Sequence, residues 1–170
     1  AGMNERAVAA GWSSLVEALI EPAWIVDAVT LRILAVNAAG AALIGLPEQE
    51  LRGRPAVELT ASPEDLYFWE DVAAGLSDSI RSDTLVRSID GVAIPVERSV
   101  RRVRLSADAP GFLVALRDLR PQQAAQEQLE TLLAELRATL ESTADGILAL
   151  DLQGGVRNYN RRFAEIWELP

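Results

Sequence analysis

The chain has 170 residues, of which 49% are apolar, enough for one large domain or for one domain with part of a second. Its formal net charge of −9 disfavours contact with a phosphate backbone, so nucleic acid is not expected as a partner. It contains no Cys, His or Lys, which removes disulfides, the usual catalytic nucleophiles and bases, and the preferred ligands of zinc and haem.

Two further classes of protein are disfavoured by the same composition. A small acidic enzyme that uses paired carboxylates is the remaining catalytic class, and the scattered positions of Asp and Glu make it the least favoured function. No apolar run reaches the ~18 residues of a membrane-spanning helix, so this region is expected to make no membrane contact.

The N-terminal segment, residues 1–14, is weakly patterned, and its opening Ala-Gly looks like an addition from cloning. A short helix is predicted to follow, with a capping-box pattern at Ser14 and an end before Pro22. Leu15 and Leu19 lie four residues apart and form an apolar stripe on one face of that helix.

Two short strands are predicted next, at residues 23–27 and 32–37, joined as a hairpin. The segment from Asn37 to Gly45 predicts a brief helix whose small residues allow a close approach to a sheet and whose Gly45 suits a left-handed cap. A firmer helix is predicted to begin at Ser62-Pro63. Core packing is the favoured interpretation of its apolar stripe, and a cofactor-binding box is the alternative.

A strand at 84–89, a tight turn at Asp90-Gly91 and a longer strand at 92–105 are predicted to follow. The apolar residues of the longer strand change parity after Val100, which predicts a β-bulge at Arg101-Arg102. The arginines of this strand favour a solvated sheet face or edge, with an anion site as the alternative: Arg98, Arg101, Arg102 and Arg104.

A last strand, 112–118, leads directly into a long helix predicted over 118–143. Pro121 fits only the first turn of a helix and therefore marks its start. Asp118 is placed to cap that turn, and we expect it also to pair with an arginine of the sheet.

The long helix carries an apolar seam at Leu129, Leu132 and Leu136, spaced three and four residues apart. A seam of this kind needs a partner, and we expect the helix to pair with its copy in a second chain. The stripe formed by Leu15 and Leu19 is expected to contribute to the same homodimer.

The pattern of the first strands returns after the long helix. Asp27 and Asp151 each close an apolar strand, and Asn37 and Asn160 each open a helix that is followed by Leu-Pro at the same distance. This spacing predicts a unit that begins twice. The second copy, 144–170, contains two predicted strands and one helix.

This order of elements resembles a PAS domain, with one complete copy and the start of another. In the first copy the resemblance rests on Trp24-Ile25-Val26-Asp27, Asn37, Gly45, Gly53, Asp90-Gly91 and Arg117-Asp118-Leu119-Arg120. In the second copy it rests on Asp145-Gly146-Ile147-Leu148, Asp151, Gly154 and the run from Asn160 to Trp167. The family often has Asp-Ile-Thr where this chain has Asp118-Leu119-Arg120.

The resemblance implies an α+β PAS fold, an antiparallel five-stranded sheet with short helices on one face, followed by a long coiled-coil-like helix. We therefore expect a PAS domain at 15–118, a connecting helix at 119–143 and the N-terminal part of a second PAS domain at 144–170.

PAS domains are sensory and dimerising modules of bacterial histidine kinases and of enzymes that make or break cyclic di-GMP. The resemblance implies a cytoplasmic, non-enzymatic region of such a two-component or related signalling protein. Asp118 and Arg120 would form the junction through which a signal enters the connecting helix, and an output domain would follow in the full-length protein. A ligand-free PAS scaffold for dimerisation or protein docking is the alternative.

The ligand-pocket candidates are three aromatic residues and one amide. Trp24, Phe68 and Trp69 could flank an aromatic ring, and Asn37 could hydrogen bond its edge. Haem held by His and flavin joined to Cys are excluded, because the chain has neither residue. A non-covalent flavin or another small ligand stays open.

Overall fold

The computed structural model describes residues 11–61, 64–74, 79–106 and 109–169. The first ten residues and the predicted cap at Ser62-Pro63 lie outside them. The chain divides between Arg120 and Pro121 into two compact units, each of which is described below by itself.

The first unit contains one sheet of five antiparallel strands in the order β2-β1-β5-β4-β3. Its elements in chain order are helix α1 (residues 11–17), β1 (Ala23–Asp27), β2 (Ile33–Val36), α2 (Ala38–Ile44), α3 (Glu48–Leu51), a 3₁₀ helix (Ala56–Leu59), α4 (Glu64–Ala73), β3 (Ser79–Arg87), β4 (Ala93–Ser106) and β5 (Ala109–Asp118). The predicted five-stranded antiparallel sheet is confirmed.

The main hydrophobic core lies on one face of this sheet. Along β1, Trp24 and Val26 belong to the main core whereas Ala23 and Ile25 belong to a separate cluster, because successive side chains of a strand point to opposite faces. The short helical elements cover the main face with apolar side chains: Ile44 from α2, Leu51 from α3, Leu59 from the 3₁₀ helix, and Trp69 and Val72 from α4. The prediction of short helices on one face is therefore confirmed.

Helix α2 lies close to the start of the sheet. Asn37 caps it by accepting a hydrogen bond from the Gly40 N–H, and Gly45 ends it with a φ of 83°. A Cβ atom at Gly40 would lie 2.8 Å from Val36 Cγ2 and 3.2 Å from the Ala23 carbonyl oxygen. The helix can therefore pack at this distance only with Gly at position 40.

Helix α1 covers part of the opposite face of the sheet. Val16 is buried there with Ala23, Ile25 and Ala35, and Trp12, Leu105 and Leu113 pack around them. The indole N–H of Trp12 donates a hydrogen bond of 3.0 Å to the Leu105 carbonyl oxygen. Helix α1 is thus part of the first unit, on the face that the other short helices leave open. Ser14 lies inside this helix, so the capping box predicted at Ser14 is wrong.

The long strands β3 and β4 differ from the prediction in the position of the bulge and in the start of β3. Strand β4 pairs with β5 in continuous register from Val96 to Arg104, and the register shift lies between Arg104 and Ser106. The bulge predicted at Arg101-Arg102 is wrong. The apolar residues change parity because α1 covers the outer face at this end of the sheet, where Leu105 packs.

The turn between β3 and β4 is as predicted. Gly91 has a φ of 78°, and its N–H donates a 3.0 Å hydrogen bond to the Ser88 carbonyl oxygen. Strand β3 begins five residues before the predicted start because it pairs along β4 as far as the contact between Ser79 and Arg101.

The second unit consists almost entirely of α5 and a small sheet. Helix α5 (Arg120–Ser142) begins in the last residue of the first unit and is followed by β6 (Leu148–Leu150), β7 (Val156–Tyr159) and α6 (Arg161–Ile166). Strands β6 and β7 form an antiparallel pair, and Asn160 caps α6 as Asn37 caps α2.

Most apolar side chains of the second unit are exposed. They include Leu148 and Leu150 of β6, Val156 and Tyr159 of β7, and Trp167 after α6. Asn160 is the one buried residue between positions 121 and 169, all of which the structure describes. The side chain of this unit that is best shielded from solvent is therefore polar.

The packing of α1 on the sheet can be tested by shortening Val16, which is 1% exposed. Val16→Ala is expected to lower the free energy of unfolding by about 2 kcal/mol, because it leaves a void between helix and sheet. Val29→Ala makes the same chemical change at an exposed turn position and is expected to cost less than about 0.5 kcal/mol. Urea denaturation measures both variants, and equal losses would contradict the packing of α1.

Candidate functional site

The interior of the first unit brings together the three aromatic residues predicted to line a ligand pocket. Trp24 of β1 and Trp69 of α4 are each 3% exposed and belong to one core cluster, against which Phe68 packs. The rings of Phe68 and Trp69 meet edge to face, with centroids 5.6 Å apart. The structure thus places all three side chains in or against the same hydrophobic core, and it pairs the rings of Phe68 and Trp69.

Arg98 belongs to the same region, although the sequence prediction placed it on a solvated face or edge. It is only 3% exposed, and its guanidinium carbon lies 3.6 Å from the centroid of the Phe68 ring. Its Nη2 lies 3.4 Å from Ser82 Oγ on the neighbouring strand. The prediction of a solvated position is wrong for Arg98, whereas Arg101, Arg102 and Arg104 are exposed.

The strand alternation contained the signal for this burial. Arg98 has the same parity as Ile94, Val96 and Val100, all of which face the main core. A guanidinium group is acceptable there because it stacks on an aromatic ring. It also brings N–H donors, which bind carboxylates and carbonyl groups, into an otherwise apolar interior.

Two indole N–H groups lie in this interior without a hydrogen-bond partner among the described residues. They belong to Trp24 and Trp69, and both nitrogen atoms are shielded from solvent. A buried donor without an acceptor costs free energy. These two donors are thus unsatisfied polar groups within the core.

Asn37 is engaged differently from the three aromatic candidates. Its Oδ1 accepts hydrogen bonds from the N–H groups of Ala23 (3.0 Å) and Gly40 (2.8 Å). Its Nδ2 donates to the carbonyl oxygens of Leu19 (3.1 Å) and Glu21 (2.8 Å). These bonds use both amide hydrogens and both lone pairs, so Asn37 links parts of the backbone and has no group left for a ligand.

The junction between sheet and long helix is built on Asp118, the last residue of β5. Its Oδ1 accepts a 2.9 Å hydrogen bond from the Arg120 N–H, and the Arg120 guanidinium donates to both carboxylate oxygens, with Nη2 at 2.6 Å from Oδ2. The expected cap is present. The paired arginine belongs to the first residue of the helix and not, as expected, to the sheet.

Asp118 and Arg120 each stabilise the charged form of the other. The hydrogen bond from the Arg120 side chain lowers the pKa of Asp118 below its ordinary value, and it outweighs the opposing effect of partial burial. The same bond raises the pKa of Arg120. Both groups are therefore charged at neutral pH.

A backbone hydrogen bond fixes the junction further. The N–H of Leu119 donates a 3.0 Å bond to the carbonyl oxygen of Pro95 in β4, and Asp118 is paired in register with Val96. The residue that separates β5 from α5 is therefore held by the neighbouring strand.

The residues predicted to form a dimer surface are all exposed. Leu129, Leu132 and Leu136 of α5 are 53%, 60% and 56% exposed, and no residue of this helix is buried. Leu15 of α1 is 60% exposed, while Val16 of the same helix faces the sheet. Leu19 is 41% exposed but lies two residues after the end of α1, so the prediction that Leu15 and Leu19 share one helix face is wrong. Both helices thus present apolar side chains that the packing within each unit does not use.

Two absences concern the described part of the chain. Within it, no helix combines the length and apolar character needed to cross a bilayer. Nor do its carboxylate side chains come together in any group of three or more suited to holding a metal ion.

Comparison with known families defines the class to which this fold belongs, the PAS domains. A family model described as the PAS fold matches residues 11–119, and one described as a PAS domain matches residues 134–170. The chain belongs to the PAS family. No curated protein is a significant match to it.

Solved structures show the same fold at low sequence identity. A PAS domain from a two-component sensor histidine kinase is 17% identical, with a TM-score of 0.54 over 64% of this chain and 94% of that chain. The PAS domain of an HTR-like protein from Haloarcula marismortui is 24% identical, with a TM-score of 0.53 over 68% and 94%. The PAS domain of nitrogen regulation protein NR(II) from Vibrio parahaemolyticus is 19% identical, with a TM-score of 0.50 over 62% and 95%.

The junction generates a prediction about pH. Asp118→Asn is expected to lower the free energy of unfolding by about 0.5–1 kcal/mol at neutral pH, because it removes a partly exposed ion pair. The folded pKa of Asp118 is lowered, so this loss is fully present above the unfolded pKa of about 3.9 and disappears as pH falls through the folded pKa. Urea denaturation of both proteins at stepwise lower pH measures it.

Asp90→Asn, at the exposed β3–β4 turn, controls for the loss of one negative charge. A difference between the parent protein and Asp118→Asn that stays constant from neutral to acidic pH would contradict the ion-pair assignment.

Proposed function

We propose that this region is the sensory and dimerising part of a signal-transduction protein, in which a change in the first PAS unit is relayed along α5. The observation that carries the proposal is the short, fixed connection between β5 and α5. Strand β5 ends at Asp118 and the helix begins at Arg120, with Leu119 bonded to Pro95 between them. A shift of β4 or β5 must therefore move the first turn of the helix.

The proposed output domain is a histidine kinase or an enzyme that makes or breaks cyclic di-GMP, in a bacterial protein. Support comes from the family and from the fold shared with a PAS domain of a sensor histidine kinase. The region itself is proposed to be non-enzymatic, and a chain without Cys suits a cytoplasmic location.

Two states of the core are compatible with this role. The indole donors of Trp24 and Trp69 favour a small bound ligand with oxygen acceptors. The stacking of Arg98 on Phe68 inside the core favours the second candidate, a ligand-free scaffold for dimerisation or docking. An absorbance spectrum of the purified protein, with mass spectrometry of what denaturation releases, distinguishes them. A persistent Soret band or a thiol-adduct photocycle would contradict the exclusion of haem held by His and flavin joined to Cys.

The relay predicts a specific effect of Asp118→Ala in the full-length protein. The output is expected to become locked or insensitive to the stimulus while the first unit stays folded, because the fixed link between sheet and helix is lost. If Asp118 were a simple cap, the variant would lose only about 1 kcal/mol of stability and keep its regulation. Output activity with and without stimulus, measured beside the melting temperature, decides between them.

Asp90→Ala is the control, since it removes an acid of the same type from an exposed turn. A normal response in a folded Asp118→Ala protein would remove Asp118 from the relay.

Dimerisation is proposed to use the seam of α5 together with α1. The double variant Leu132→Glu/Leu136→Glu is expected to be monomeric, because it places charges in the apolar seam. Light scattering at tens of micromolar, a concentration at which about micromolar affinities are saturated, measures the change.

Leu152→Glu is the matched control, since Leu152 is fully exposed between β6 and β7. It is expected to leave the dimer intact. A monomeric parent protein under these conditions would rule out the proposed dimer.

A further inference from the structure

In both units a hydrogen bond joins the helix before the hairpin to the helix after it. In the first unit, Glu17 of α1 accepts a 3.2 Å hydrogen bond from the Ala38 N–H at the start of α2. In the second, Glu141 of α5 accepts a 2.8 Å hydrogen bond from the Arg161 N–H at the start of α6. A glutamate near the end of the leading helix thus contacts the beginning of the helix after the hairpin in both.

The adjacent asparagine completes this arrangement in the second unit. Asn160 Oδ1 accepts hydrogen bonds from the N–H groups of Ile147 (2.8 Å) and Phe163 (3.0 Å). Its Nδ2 donates to the carbonyl oxygens of Leu140 (2.8 Å) and Asp145 (3.0 Å), and to Thr143 Oγ1 (3.1 Å). One side chain therefore joins the end of α5, the residue before β6 and the first turn of α6.

The match with Asn37 covers the backbone partners, whereas the Thr143 hydroxyl is a partner of Asn160 alone. Both asparagines accept from the N–H where the first strand begins and from the N–H three residues further along the chain. Both also donate hydrogen bonds to backbone carbonyl oxygens in the segment where the leading helix ends and the chain continues to the first strand. Because all groups of the amide are used, no other side chain of this size can replace it.

We infer that Asn160, together with Glu141, forms a clamp that positions the C-terminal end of α5 on the second unit. This inference rests on the proposed function in one respect: it assigns the residues that receive the signal carried by α5. Helix α5 is then both the connector and the leading helix of the second unit, as α1 is for the first. Asn160 is a positioning residue, because it acts through the helix that it holds.

Burial makes Asn160 the dominant contact. It is 3% exposed, whereas the apolar residues around the hairpin are open to solvent. With so little apolar burial in this unit, hydrogen bonds that are shielded from water have a large share in holding the helix end. Loss of the three donated bonds should therefore release the helix without removing the α6 cap.

Asn160→Asp separates these two roles. The carboxylate keeps the oxygen that caps α6, but it has no N–H to donate and faces carbonyl oxygens of the α5 end. The chain has no Cys, so spin labels can be placed at Ala134→Cys in α5 and Gln153→Cys in the β6–β7 turn. Dipolar electron paramagnetic resonance, with excess unlabelled chain to isolate pairs within one chain, then measures the distance between helix and hairpin.

The parent protein is expected to give one narrow distance distribution, and Asn160→Asp to widen it by about twofold or more. Asn158→Asp, at an exposed position of strand β7 two residues before Asn160, adds the same charge and is expected to leave the width unchanged. Glu141→Ala is expected to give an intermediate width. If circular dichroism shows that Asn160→Asp loses the helix, Glu141→Ala combined with Thr143→Val removes two of the contacts without altering Asn160.

A width for Asn160→Asp equal to that of the parent overturns the inference, as does a broad distribution in the parent itself. If Glu141→Ala combined with Thr143→Val is used instead, a width equal to that of the parent also overturns the inference. Both labels lie in the second unit and no stimulus is needed, so the result is independent of dimerisation and of the junction at Asp118. A normal output in Asp118→Ala would remove the relay but leave the clamp in place.

Discussion

The structure of the first unit depends on the need to cover both faces of one antiparallel sheet. Successive side chains of a strand point to opposite faces of the sheet, so each apolar side chain of β1 packs on one face only. Covering both faces therefore requires two separate sets of helices. Short helices cover one face, and α1 covers part of the other through Val16 and Trp12. The leading helix is therefore a component of the core, and its attachment by Glu17 and Asn37 follows from that role.

Local patterns predicted the elements whose structure is decided by neighbouring residues. The hairpin turn at Asp90-Gly91 and the cap at Gly45 depend on backbone conformations that favour glycine. The register of β4 could not be predicted in this way, because the change of parity near Arg101 reflects α1, which is distant in sequence. The same limit applies to Arg98, whose burial depends on an aromatic ring supplied by α4.

In the candidate site, too, some features could be predicted from the sequence and others depend on distant contacts. Trp24, Phe68 and Trp69 could be grouped from their spacing and size, because large aromatic residues on predicted core faces meet in a small domain. Asn37 could be placed at a helix start but its four backbone partners could not, since they lie on three different segments. Asp118 and Arg120 could both be placed at the junction from the sequence, but the ion pair between them could not, since it depends on the geometry of the turn.

The glycine at position 40 has a consequence for the relation between the two units. Its N–H occupies the same place beside Asn37 that the N–H of Phe163 occupies beside Asn160. Position 40 has no room for a Cβ atom, whereas Phe163 stacks on Trp167 with ring centroids 5.9 Å apart and lies near Tyr159. Helices α2 and α6 therefore both begin at a capping asparagine but differ at this position. A chimera that carries residues 160–167 in place of 37–44 would place a Phe side chain at position 40, where a Cβ atom lies 2.8 Å from Val36 Cγ2. The helix or Val36 would then have to move.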